Sequence, residues 1–274
     1  MTHPIAGLQG KSALITGSTR GIGETIAQRF ADAGAQVVIT GRTESAGVAT
    51  QERIRASGGD ATFVAMDVGI EEDVARAVEG AVSTYGRLDI LVNNAAPTDV
   101  VVGGDSDVAT LSTDKLSAII TPGLFGQFWA CKYALPHLTK TGAGAIVNVS
   151  ASSSLIGVPK SAGYSAIKGA MNALSRQMAV DFASAGVRSN TIITGPILTD
   201  NAKALLDANP EAAAAFASML LTRPGRPVDI AEAALFLASD AAGFITGIEL
   251  PVNGGLLATR NIPAVSQLQR SSQA

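Results

Sequence analysis

Short apolar runs alternate along this chain with longer stretches in which apolar positions recur every three or four residues. SALIT (12–16), QVVIT (36–40), ATFVAMDV (61–68), LDILVNNAA (88–96), AGAIVNVS (143–150), VRSNTII (187–193) and GIELPV (247–252) read as strands. The intervening stretches 21–34, 43–57, 71–85, 113–139 and 161–184 read as helices. The strands are rich in Val, Ile and Leu on both faces, which suits a parallel sheet covered by helices on both sides. Strand and helix in alternation predict an α/β fold, a single doubly wound, Rossmann-like domain. No internal repeat or linker divides it. The domain is placed at 1–255, and 256–274, LLATRNIPAVSQLQRSSQA, reads as a C-terminal tail, either disordered or long enough to reach a neighbouring subunit.

Composition narrows the possible functions. With 47% hydrophobic and 16% charged residues in 274, the chain has ample material for a large core. A formal net charge of −3, with Lys and Arg scattered, gives no basic field for nucleic acid. The N-terminus lacks a basic segment followed by an apolar run, and no stretch approaches ~18 uninterrupted apolar residues, so the expectation is a cytoplasmic protein with no membrane partner. The lone Cys131 cannot form an internal disulfide, and His3 and His137 are far apart, so no metal site is expected.

Between the first strand and the first helix lies TGSTRGIG (16–23). Glycines at 17, 21 and 23 allow a tight turn and close backbone approach, so the helix N-terminus can offer its free N–H groups to a pyrophosphate. A glycine trio alone is weak; its place after a strand and before a helix is the context that marks a dinucleotide site. At the end of the second strand, where a carboxylate would bind the ribose hydroxyls of NAD, stands Gly41-Arg42. A guanidinium binds a 2′-phosphate by charge-assisted hydrogen bonds, so Arg42, helped by Arg20, favours NADP(H) over NAD(H). Glu44 is the nearest acid in sequence.

Taken together, TGSTRGIG (16–23), Asp67-Val68, NNAA (93–96), YSAIK (164–168), GPILT (195–199) and TGIELPVNGG (246–255) resemble the motifs of the short-chain dehydrogenase/reductase family, in order and over nearly the whole chain. The resemblance implies a seven-stranded parallel sheet, a nicotinamide cofactor, a small-molecule substrate and a homotetramer or homodimer. It assigns to the cofactor Gly17, Thr19, Arg20, Gly21, Ile22, Gly23 and Arg42, then Asp67, Val68, Asn93 and Ala95, then Tyr164, Lys168, Gly195, Ile197 and Thr199. It also makes Tyr164 the acid/base. A free tyrosine, with a pKa of roughly 10, is a poor base at neutral pH. Lys168, four residues on, shares its helix face, and its charge favours the phenolate. Tyr164 then exchanges a proton with the substrate oxygen as hydride moves to or from the carbon.

Two groups that the resemblance calls for are absent. Alignment on Asn148, Gly157 and Tyr164 puts the family's serine at Ala151, and alignment on GQFWACKYALP (126–136) puts its helix asparagine at Gly123. Thr194 also replaces the usual proline before Gly195. Ser152 is the candidate replacement for the serine, if the strand end shifts by one residue, and Ser153 has the right parity to meet substrate. Pro122-Gly123 can kink the long helix without supplying an amide. The reading that follows is an NADP-dependent oxidoreductase interconverting carbonyl and hydroxyl on a largely apolar small molecule, with an atypical site. Its apolar character is argued from VVV (100–102) and from 200–221 as a helical lid. Alternatives are an enzyme repurposed for enone reduction or non-redox chemistry, and a non-catalytic NADP-binding protein.

Overall fold

The computed structural model describes residues 7–258, so His3 and positions 259–274 of the expected tail lie outside the described residues. Seven strands form one parallel sheet: β1 (Ser12–Ile15), β2 (Gln36–Gly41), β3 (Asp60–Ala65), β4 (Ile90–Asn93), β5 (Ala145–Ala151), β6 (Arg188–Thr194) and β7 (Glu249–Val252). Their spatial order is 3-2-1-4-5-6-7. The chain therefore builds outward from β1 to β3, then returns to place β4 on the other side of β1. That reversal opens a crevice beyond the carboxyl ends of β1 and β4, the position at which doubly wound sheets bind ligands.

The helices are α1 (Gly21–Asp32), α2 (Glu44–Ala56), α3 (Glu71–Tyr85), α4 (Thr98–Val101), α5 (Thr113–Ile120), α6 (Gly126–Thr141), α7 (Ala162–Phe182), α8 (Asp200–Asp207), α9 (Pro210–Ser218) and α10 (Pro227–Ala238). Side chains alternate faces along a strand, so each strand feeds two cores. Ala13 and Ile15 of β1 pack with Ile26 and Phe30 of α1 and Ile230 and Leu237 of α10. Leu14 between them packs on the opposite face with Val74 and Val78 of α3, Leu138 of α6 and Met178 of α7. The core on both faces is the physical counterpart of strands that are apolar throughout.

The helices α4 and α10 are not among those expected, and three expected elements end or break early, each for a local reason. The third strand stops at Ala65 instead of residue 68 because carboxylates take over the next backbone donors: Asp67 N–H donates to Asp73 and Gly69 N–H to Asp67. The fourth stops at Asn93 because the N–H groups of Asn94 and Ala95 both donate to Thr16 Oγ1. The long helix 113–139 is divided by a π-helical turn, Thr121–Phe125, centred on the Pro122-Gly123 pair. Proline lacks the N–H needed to continue the regular ladder, and a π turn is one way to absorb that loss. The stretch 200–221 forms two helices, with Pro210 opening the second. Among the described residues no helix is long and apolar enough to cross a membrane.

Candidate active site

The glycine turn after β1 is built so that only glycine fits where the chain doubles back. Gly17 and Gly21 have φ of +64° and +60°, in the left-handed region. At Gly23 a Cβ would meet Gly17 O at 2.3 Å, Asn94 Nδ2 at 2.4 Å and Ser18 Cα at 2.9 Å. Asn94 fastens the turn by donating to the carbonyls of Thr16 and Gly17 at 3.0 and 2.9 Å. Ser18 Oγ accepts from Thr40 N–H and donates to Ile15 O, tying the turn to β2. The N-cap of α1, Arg20, is extended and makes no side-chain cap, so among the described residues no capping side chain occupies the positive end of this helix. A pyrophosphate fits this cradle, with the first turn of α1 as its anion site. Gly23→Ala is accordingly expected to cost about 1–3 kcal/mol of stability, since the atoms it meets are mostly backbone. Thermal melting checks the stability, and calorimetry with a nicotinamide dinucleotide checks an accompanying loss of affinity.

Around the cradle stand several residues singled out from the sequence. Thr199 caps α8, accepting from Ala202 N–H, and its methyl carbon lies 3.6 Å from where a Gly21 Cβ would be. Thr19 covers Gly41 so closely that a Cβ there would meet its Cγ2 at 2.6 Å. Ile22 packs against the α1 core, as does Ile197. Gly195 passes close to Asn253, where a Cβ would lie 2.7 Å from backbone. Val68 lies against Gly126 in the turn after β3. Arg20 and Arg42, 62% and 64% exposed, are both paired with Asp99, at 2.9 and 2.7 Å. The carboxylate that reaches Arg42 is thus not Glu44, which opens α2, but one 57 positions along the chain.

Asn93 departs from its expected role. Its amide is completely buried and donates to Asn148 Oδ1 at 2.9 Å and to Cys131 Sγ, so the side chain joins β4 to β5 and α6. Its neighbour Asn94, not singled out from the sequence, holds the glycine turn instead.

Tyr164 and Lys168 lie one turn apart on α7, with Lys168 Nζ 5.5 Å from the centre of the tyrosine ring. Lys168 is 2% exposed and donates to Val149 O at 2.8 Å. Burial pulls its pKa down to about 8 and pushes the Tyr164 hydroxyl up to about 12. Desolvation therefore outweighs the expected favouring of the phenolate by lysine, and the free protein holds Tyr164 firmly protonated. The start of α7 is clamped by a segment that carries no motif. Asp105 accepts from Gly163 N–H at 3.0 Å and Tyr164 N–H at 2.8 Å, Ala162 N–H donates to Ser106 O, and Lys160 pairs with Asp107.

The serines near Ala151 resolve differently from the expectation. Ala151 is the last residue of β5, paired with Thr194. Ser152 does not replace the missing serine: it is buried, and its hydroxyl donates to Thr194 O at 2.8 Å, while Thr194 Oγ1 donates to Ser150 O at 2.9 Å. The threonine in place of proline and the buried Ser152 therefore join the ends of β5 and β6. Ser150 donates to Lys168 O, and Ser154 donates to Ala151 O and accepts from Asn172. Of the four, Ser153 alone has a buried hydroxyl without a hydrogen-bond partner among the described residues. At Gly123 a Cβ would meet Ile167 Cδ1 at 2.3 Å, so the volume of the missing asparagine is taken by the isoleucine next to Lys168. An amide does stand one turn on: Gln127 is buried, with Nε2 3.5 Å from Ala95 O and Oε1 without a partner among the described residues.

A cleft of about 470 Å³ opens beside this site, lined by Pro196, Ile197, Arg223, Asp229 and Asn253 among others, and includes neither Tyr164 nor Lys168.

Residues 17–257 match a family model described as enoyl-(acyl carrier protein) reductase. The chain is 38% identical over 252 residues to 2,5-dichloro-2,5-cyclohexadiene-1,4-diol dehydrogenase LinX of Sphingobium indicum, covering 90% of this chain and 96% of that one. It is 36% identical over 249 residues to 7alpha-hydroxysteroid dehydrogenase of Clostridium sardiniense, with 90% and 94% covered. Among solved structures, a proposed NAD(P)-dependent gluconate 5-dehydrogenase from Beutenbergia cavernae, with NADP bound at low occupancy, superposes with a TM-score of 0.85. That pair shares 32% identity, with 94% of this chain and 100% of that chain covered.

Proposed function

The chain belongs to the short-chain dehydrogenase/reductase family of oxidoreductases, and from that premise we propose that it is an NADP-dependent enzyme interconverting a ketone and a secondary alcohol, with Tyr164 as the proton donor and acceptor. The observation that carries this reading is the Tyr164–Lys168 pair, held together on α7, with Lys168 bonded to Val149 O near the end of β5, the strand beside β4. When bound, the dinucleotide supplies or takes up the hydride. Gly17, Gly21 and Gly23 would hold its pyrophosphate, Arg20 and Arg42 its 2′-phosphate, and Thr199 would contact its carboxamide or phosphates. Tyr164, protonated in the free protein, gives its proton to the carbonyl oxygen in reduction and recovers it from solvent through Lys168. Lys168, buried and cationic at neutral pH, stabilises negative charge as it develops on the phenol oxygen.

Ser153 is the hydroxyl assigned to the substrate oxygen. A buried hydroxyl with no internal partner is costly unless a ligand completes it, and its three neighbours are already committed to backbone. Ser153→Ala is expected to lower kcat for ketone reduction by about 10²-fold, and Ser152→Ala to lower stability without a comparable loss of turnover. Steady-state kinetics and melting curves of the two variants check the assignment; the reverse pattern removes it. Leu155, Ile156 and Val158, at 50, 40 and 44% exposed, follow this turn directly and favour a substrate with an apolar body. A panel of cyclic ketones, hydroxysteroids, sugars and enones, assayed with NADPH and NADH, tests the reaction class. Turnover of enones alone would replace ketone reduction, and tight cofactor binding without turnover of any would replace catalysis.

A further inference from the structure

We propose that Asp99 sets the cofactor preference of this enzyme, because its carboxylate occupies the anion site formed by Arg20 and Arg42 and a 2′-phosphate binds there only by displacing it. The proposal rests on the assignment of those two arginines to the 2′-phosphate. Each oxygen of Asp99 is taken by a different guanidinium: Oδ1 by Arg20 at 2.9 Å, Oδ2 by Arg42 at 2.7 Å. The carboxylate thus bridges the two cations in the manner expected of a phosphate. Its placement is fixed by the chain around it. Asp99 lies in the single turn α4, six residues or fewer from Asn93, Asn94 and Ala95, which join β4 and the glycine turn. The segment that bears the carboxylate is therefore anchored to the cradle that would hold the same dinucleotide.

The three side chains are 54–64% exposed, so a ligand reaches them and the pairs are of the weak, solvent-screened kind that a stronger anion can replace. A phosphate monoester carries about −1.5 to −2 charge and three acceptor oxygens, against one charge and two oxygens for a carboxylate. It prevails, but the displaced Asp99 stays nearby on a short tether and opposes it. A ligand with a free 2′-hydroxyl adds no anion and has no need to displace the carboxylate. Asp99 thereby weakens the 2′-phosphate preference that two arginines alone would give, and brings NADP and NAD closer in affinity.

Calorimetric titration with adenosine 2′,5′-bisphosphate and with 5′-AMP tests this without reference to turnover. Asp99→Asn is expected to bind the bisphosphate about three- to tenfold more tightly than the wild type, with 5′-AMP changed by less than about twofold. Asp99→Glu, which restores a carboxylate, should stay near the wild type. The gain in Asp99→Asn should shrink as salt is raised, because the groups are exposed. An unchanged ratio of the two affinities in Asp99→Asn overturns the proposal, as does an equal gain for both ligands. Arg42→Ala separates the two layers of the argument. If the wild type prefers the bisphosphate and Arg42→Ala loses that preference while Asp99→Asn leaves it unchanged, the NADP assignment stands and the role of Asp99 falls. If wild type, Asp99→Asn and Arg42→Ala all bind the two ligands equally well, the NADP assignment itself fails and takes the proposal with it.

Discussion

Tyr164→Phe is expected to lower kcat/KM for ketone reduction by about 10²–10⁴-fold, the range for loss of a positioned general acid, while leaving dinucleotide affinity nearly unchanged. The substitution removes one oxygen and little else. No hydrogen bond to the hydroxyl is made by the described residues, so the fold loses no internal partner. The ring keeps its place beside Lys168, and the backbone at this position is still clamped by Asp105, which accepts from Tyr164 N–H. A melting temperature within a few degrees of the wild type, together with unaltered binding of NADPH, would separate loss of chemistry from loss of structure. The effect should be the same at pH 6 and pH 7, because burial places the hydroxyl's pKa at about 12 and the wild-type acid is fully protonated at both. Activity in Tyr164→Phe close to that of wild type would remove the tyrosine from the reaction.

The fold and the cofactor cradle were legible because they are written in local pattern. Apolar strands separated by amphipathic helices dictate a sheet covered on both faces, and Gly17, Gly21 and Gly23 occupy positions that a Cβ would strain or block. The helix break at Pro122 was legible for the same reason, since the missing N–H is a property of the residue. What the sequence did not reveal depends on partners distant in the chain. Strand parity sets Ser153 apart from Ser152, but that the Ser152 hydroxyl is committed to Thr194 O follows only from a partner 42 positions on. Asp99 meets Arg20 and Arg42 only because β4 lies next to β1 in the sheet, and Asp105 reaches α7 across 58 positions. Gly123 could be recognised as a vacancy by alignment, but that Ile167 fills it follows from packing between two helices. The balance at Tyr164 and Lys168 shows the same limit. Spacing says that a cation is near a phenol, whereas burial decides the direction in which each pKa moves.

Lys168→Met is expected to abolish most turnover, by on the order of 10²–10³-fold, and at the same time to make the protein about 1–2 kcal/mol more stable at pH 7. The two effects share a cause. Lys168 is 2% exposed, and its only hydrogen bond among the described residues goes to Val149 O. A cation held there without a carboxylate opposes folding, as its pKa of about 8 against an ordinary 10.5 records. Methionine fills a similar volume without the charge, and the carbonyl it abandons is a group that tolerates an unused lone pair. The sign with pH follows from linkage. Below pH 8 the lysine is protonated in both folded and unfolded chains, and the full penalty is present. Between pH 8 and 10.5 the unfolded chain binds more protons, so wild-type stability rises with pH and the advantage of Lys168→Met fades. Turnover should run the other way. The kcat/KM of the wild type for ketone reduction is expected to fall as pH rises through about 8, where the free enzyme loses the charge beside Tyr164, and that limb should be absent from the residual activity of Lys168→Met. Denaturant melts and pH–rate profiles of the two proteins measure both. A variant that is less stable than the wild type at pH 7 would mean that the buried lysine is not a strained cation, and one that retains the alkaline limb would mean that it is not the charge on which Tyr164 depends.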